Sequence, residues 1–167
     1  MKKYLILAAV LIAVVGLTLG AVSAEEWSFN FGSSSSSNSD GGQYEFTNGA
    51  LKLQDVSFKI PDGYKENESA KKLAEPAVDL ENAKYSLAAF DKDGKQIVVK
   101  VFFSDDDKFT SLSGTNEGDV NKTVAGIDGV YNNQAFSDGS VEFKFLKDGK
   151  LADVIAPDDA TLESIIK

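Results

Sequence analysis

VEFKFLKDGKLADVI, residues 141–155, reads as a β-hairpin. Val141, Phe143 and Phe145 alternate with Glu142 and Lys144, the two-residue period of a strand with one apolar face. Lys147-Asp148-Gly149-Lys150 turns the chain, because an Asp-Gly pair takes the positive φ values that a tight hairpin needs. Leu151 to Ile155 then returns as the second strand.

The same device recurs upstream. Tyr85, Leu87 and Ala89 alternate into Asp91-Lys92-Asp93-Gly94, and Ile97 to Phe103 returns as a buried strand. FDKDGK at Phe90–Lys95 and FLKDGK at Phe145–Lys150 agree at five of six positions, but their flanks diverge, so one turn design is reused without a domain duplication. Between them, Thr123-Val124-Ala125-Gly126-Ile127-Asp128-Gly129-Val130-Tyr131 reads as a strand, a turn at Asp128-Gly129 and another strand. Nearer the start, Tyr44 to Phe46 is extended, and Val56, Phe58 and Ile60 alternate before Pro61-Asp62-Gly63 turns the chain.

Two segments have helical character. Helix formers occupy Glu66 to Glu75 ahead of Pro76, which cannot continue a helix. After Pro157, Asp158 or Asp159 can cap a closing helix whose Leu162, Ile165 and Ile166 share one face. The expected fold is α+β: a single domain, residues 43–167, with an antiparallel sheet of about six to eight strands and two short helices packed on one face.

Residues 1–24 have the three parts of a secretory leader. Lys2 and Lys3 precede an apolar run from Leu5 to Val22, and Val22-Ser23-Ala24 supplies small residues for cleavage before Glu25. An uncleaved anchor with its lysines on the cytoplasmic side is the alternative. Residues 25–42 follow as a short strand, with Trp27, Phe29 and Phe31 on one face, plus a Ser/Gly-rich flexible segment from Gly32 to Gly42. The expected location is extracellular or at the cell surface, with membrane contact only through an uncleaved N-terminal segment.

Composition closes many chemical routes. The chain has 167 residues and no His or Cys, and all 17 of its Lys+Arg residues are lysine. That excludes His-based acid–base catalysis, Ser-His-Asp triads, thiol nucleophiles, His/Cys zinc sites and bidentate Arg clamps. Loss of Lys2 and Lys3 with the leader takes the formal charge from −9 to −11. Such an acidic surface keeps an exported protein soluble and opposes binding to nucleic acid. Without cysteine, the fold gains nothing from disulfides.

Carboxylates are the remaining chemical resource. Asp105, Asp106 and Asp107 follow a strand, and an oxygen-rich loop of this kind can take Ca²⁺; otherwise no cofactor is expected. Asp91-Lys92-Asp93-Gly94 resembles the start of a calcium loop but lacks its later ligands. A carboxylate-dependent hydrolase acting on envelope glycans would need two acids about 5 or about 6.5–9.5 Å apart across a cleft, and a raised pKa on one would mark it. Asn67-Glu68-Ser69 and Asn121-Lys122-Thr123 are glycosylation acceptors, the first at a helix start and the second in a polar loop. Trp27, Tyr44, Tyr64 and Tyr131 could form a sugar-stacking face if the sheet presents them together.

VSFKIPDGYKENES at Val56–Ser69, TVAGIDGVY at Thr123–Tyr131 and FKFLKDGKLADVIAPDD at Phe143–Asp159 resemble small exported proteins of unknown function from methanogenic archaea. The resemblance spans Val56 to Lys167 and carries no catalytic or ligand residue. It implies a cell-surface setting in an archaeal envelope, where Asn67 and Asn121 are available for glycosylation. The leading expectation is therefore a non-catalytic surface domain serving binding or envelope structure. Its partner, an envelope component or another protein, is unspecified. A weak calcium module and a small hydrolase are the rivals.

Overall fold

The computed structural model describes residues 43–76, 83–114 and 116–167; the expected leader and the segment 25–42 lie outside the described residues. Strands β1 (Tyr44–Thr47), β2 (Ala50–Leu53) and β3 (Val56–Lys59) form a three-stranded sheet in that order. Seven more strands form the second sheet: β4 (Lys65–Glu66), β5 (Lys84–Lys92), β6 (Lys95–Phe103), β7 (Val120–Val124), β8 (Ile127–Asn132), β9 (Val141–Lys147) and β10 (Lys150–Ala156). Their order is β4-β5-β6-β10-β9-β8-β7, and every pair is antiparallel. Helix α1 spans Glu68–Leu73 and α2 spans Asp159–Ile166.

Tight turns explain this connectivity. Asn48-Gly49, Gln54-Asp55, Asp93-Gly94, Ala125-Gly126 and Asp148-Gly149 all have positive φ at both positions, the backbone of a two-residue hairpin whose twist matches its strands. The expected turn at Asp128-Gly129 is three residues too late. Chain reversal falls at Ala125-Gly126, and Asp128 and Gly129 lie inside β8. Glycine is needed at 129 for a different reason: a Cβ there would lie 2.2 Å from the Lys144 carbonyl oxygen and 2.7 Å from the Phe143 ring. The Phe143 ring covers the glycine, and β8 approaches β9 closely.

The seven-stranded sheet is covered on both faces. On its inner face, Ala88, Phe90, Ile97, Val99, Val101, Phe143, Phe145, Ala152 and Val154 meet Leu51, Leu53, Val56 and Phe58 of the small sheet and Leu162, Ile165 and Ile166 of α2. Phe46 lies 4.8 Å from Phe90, and Phe58 lies 6.4 Å from Phe145, centroid to centroid. Burial of each such side chain contributes roughly 1.5–3 kcal/mol. On the outer face, Leu87, Ala89 and Val98 pack with Ala70 of α1.

Two features depart from the expected single sheet with both helices on one side. The four-residue strands β1 to β3 pair with one another through their two-residue turns and form a layer of their own. The helices lie on opposite faces. Helix α1 follows edge strand β4, with the Asn67 amide donating 2.9 Å to the Ala89 carbonyl, so its one buried residue meets the outer side of β5. The apolar triad of α2 instead completes the inner layer beside β3.

Candidate functional site: a buried ionic cluster

Residues Glu142, Lys144, Lys100 and Asp153 occupy outward-facing positions of β9, β6 and β10, where the alternation places polar side chains. The outer face is not open there. Lys100 and Asp153 are each 1% exposed, Asn132 is 1% exposed and Glu142 is 5% exposed. Register sets the row: Asp153 stands directly opposite Lys100 on one side and Lys144 on the other, while Glu142 pairs with Ile155 and Asn132.

The contacts follow from that register. Lys100 Nζ lies 3.6 Å from Asp153 Oδ2, an ion contact too long for a hydrogen bond. Among the described residues, neither Asp153 oxygen has a hydrogen-bond partner. Lys144 Nζ donates to Glu142 Oε2 at 2.6 Å. Asn132 Nδ2 donates to Asp119 Oδ1 at 2.8 Å and to the Glu117 carbonyl at 2.9 Å, which ties the segment before β7 to the sheet. The long β6–β7 connection is fastened at its other end by the Phe109 amide, which donates 2.9 Å to the Gly149 carbonyl.

Burial dominates the electrostatics of the cluster. It pushes the Glu142 carboxyl up to about 7, helped by the negative charge of Asp153 and opposed by Lys144 and Lys100. Burial alone would lower Lys144, but the charges of Asp153 and Glu142, the hydrogen bond to Glu142 and the charge of Asp119 hold it above its ordinary value. Two acids and two amines thus share a nearly dry space.

None of these residues stood out in the sequence as a site. The available signal was Lys100 inside the apolar run Ile97 to Phe103 and Asp153 inside Leu151 to Ile155. Nothing in either run marks its charged residue as part of a site; the pairing of β6, β10 and β9 brings them together.

The residues singled out from sequence lie elsewhere. Asp105 Oδ2 accepts a 2.5 Å hydrogen bond from Lys84 Nζ, and the Asp106 and Asp107 amides both donate 3.4 Å to Ser104 Oγ. All three aspartates are exposed, and among the described residues no three acidic groups gather as a cation site requires. Asn67 caps α1, its Oδ1 accepting 2.9 Å from the Ala70 amide. Asn121 is not in a loop but on β7, the edge strand, where it is exposed. It lines an open groove of about 460 Å³ with Leu112, Lys122, Thr123, Asp128 and Val130.

The tyrosines form no stacking face of the expected kind. Tyr131 is buried beneath Lys122, whose Nζ is 3.7 Å from the ring centroid, while Tyr44 and Tyr64 pack against the core. Trp27 lies outside the described residues. Burial, then a hydrogen bond with Asp159, pushes the Tyr131 hydroxyl up to about 12.

Comparison with models of known protein families, with curated proteins and with solved structures finds no match.

Proposed function

We propose that this chain is an exported, non-catalytic cell-surface domain whose role is binding or envelope structure. The observation that carries the reading is the sealing of its chemically unusual acids. Glu142 has the raised pKa that a carboxylate hydrolase would use, and Asp153 is its charged neighbour. Yet they are 5% and 1% exposed, so a glycan could not lie between them. The composition supports the same conclusion, since His, Cys and Arg chemistry is absent from the sequence.

Residues 43–167 act here as one domain, carried outside the cytoplasmic membrane by the leader and set off by the Ser/Gly-rich segment. An archaeal envelope, implied by the resemblance, is the proposed setting. The open groove beside Asn121 is the surface on which an envelope component or another protein would dock, or which a glycan on Asn121 would cover.

The test is fractionation of cells producing the full chain, with the N-terminus of the recovered protein read by mass spectrometry. Recovery outside the membrane with Glu25 first, or with the leader retained as an anchor, is expected. Retention in the cytoplasm overturns export. Release of sugar from envelope glycans by the wild type, lost in Glu142→Gln, overturns the non-catalytic reading.

A further inference from the structure

The buried cluster holds the parts of a self-made covalent cross-link. We propose that Lys100 and Asp153 condense to an intramolecular isopeptide bond between the adjacent strands β6 and β10, with Glu142 as the proton carrier.

Placement comes first. Lys100 and Asp153 are direct cross-strand partners, so their side chains leave the sheet side by side. Nζ already lies 3.6 Å from Oδ2, and a small rotation of the carboxyl group brings its carbon toward the near-attack range of about 3–3.5 Å. Groups held this way react with effective molarities on the order of 10⁵–10⁸ M, which offsets the unfavourable condensation of a free acid and amine in water.

Environment comes second. Both groups are 1% exposed, and the Asp153 oxygens are without hydrogen-bond partners among the described residues. Burial favours neutral forms, and an amide is neutral where the ion pair is not. Glu142 lies two residues along β9 from Lys144, the cross-strand partner of Asp153, on the same face of the sheet; its carboxyl, pushed up to about 7 by burial and by the charge of Asp153, can both accept and donate a proton. Lys144 holds that acid in place through its 2.6 Å hydrogen bond and is therefore a positioning residue, while the Lys100 side chain is 2% exposed and faces Asp153.

The step balances without an oxidant, reductant or cofactor. The Lys100 ammonium gives one proton to the Glu142 carboxylate, which passes it to an Asp153 oxygen. The neutral amine then attacks Cγ of the Asp153 carboxylic acid; the N–C bond forms and the carbonyl electron pair moves onto oxygen. On collapse, the C–OH bond breaks, and the surplus proton on nitrogen travels through Glu142 to the departing hydroxyl. One ammonium and one carboxylate become one amide and one water. The product fastens two central strands of a chain that has no cysteine.

The test is peptide mapping of the folded full chain after complete digestion at lysine. The expected result is a branched species joining residues 96–108, uncut at Lys100, to residues 151–167, lighter by one water than the sum of the two. Lys100→Arg and Asp153→Ala abolish it. Glu142→Gln, shown to be folded by circular dichroism, slows its formation at least tenfold. Free peptides 96–100 and 151–167 from folded wild-type protein overturn the proposal. A branch through Lys144 overturns the assignment of Lys100, and wild-type rates in Glu142→Gln overturn the role given to that acid.

Discussion

Replacing Gly129 with alanine tests the register on which the outer-face cluster depends. A Cβ at this position would meet the Lys144 carbonyl oxygen at 2.2 Å and two atoms of the Phe143 ring at 2.7 and 2.8 Å. The carbonyl belongs to the paired strand and cannot swing aside, so β8 has to move away from β9. Phe143 is 0% exposed and has no room to retreat. Overpacking of this kind costs about 3 kcal/mol. For a chain of this length that lowers the melting temperature by roughly 6–12 °C. Gly126 provides the control, since it has φ +83° and a Cβ there would meet no atom within 4 Å. Asparagine tolerates that left-handed backbone. Gly126→Asn therefore shifts melting by no more than roughly 2 °C, the range of an exposed substitution. Thermal unfolding followed by circular dichroism measures both. A Gly129→Ala protein that melts with the wild type would show that position 129 is not pressed against β9 and would refute the register.

Glu142 makes stability depend on pH. Its folded value of about 7 lies above the ordinary 4.5, so folding favours the neutral acid. That contribution is complete below about pH 4.5 and is lost as pH rises through about 7; its full size is on the order of 3 kcal/mol. Urea midpoints should fall between pH 5 and 8 in the wild type and fall less in Glu142→Gln; parallel slopes would count against the assignment. The groups facing Glu142 are Asp153 on β10, Lys100 on β6, Lys144 on its own strand and Asn132 on β8. Leu162→Ala removes a fully buried residue of α2 and should destabilise the fold by about 2–5 kcal/mol in urea titration; a change under about 1 kcal/mol would mean that α2 does not close the inner layer. Added Ca²⁺ should leave the melting temperature unchanged, because Asp105 is engaged by Lys84 and the three aspartates do not converge. A chelator-reversible rise, lost in Asp107→Asn, would instead support a calcium module.

Local pattern was enough to reveal most of the strands and both helices. Apolar alternation marked β3, β5 and β9, the Asp-Gly pairs marked the β5–β6 and β9–β10 turns, and a cap at Asp158 or Asp159 with Leu162, Ile165 and Ile166 marked α2 and its buried face; the structure makes Asp158 the cap. These signals are legible because each depends on neighbours a few residues apart. The β7–β8 turn was misplaced because Ala125-Gly126 and Asp128-Gly129 are both compatible with local turn chemistry. The choice between them is made by β9, whose Phe143 and Lys144 crowd position 129.

The candidate site was hidden for a related reason. Alternation tells which residues share a face of a strand, but not whether that face meets water. Glu142 and Lys144 therefore read as lying on the polar face of their strand, while Lys100 and Asp153 went unmarked inside the runs Ile97 to Phe103 and Leu151 to Ile155. Strand order places β10 between β6 and β9 and so joins residues from distant parts of the chain into one row. Composition alone ruled out His, Cys and Arg chemistry, and local periodicity alone located most elements. Only tertiary structure split the strands into two sheets, sent the helices to opposite faces and drew four charged side chains largely out of water, because sheet pairing and layer packing are decided between segments far apart in sequence.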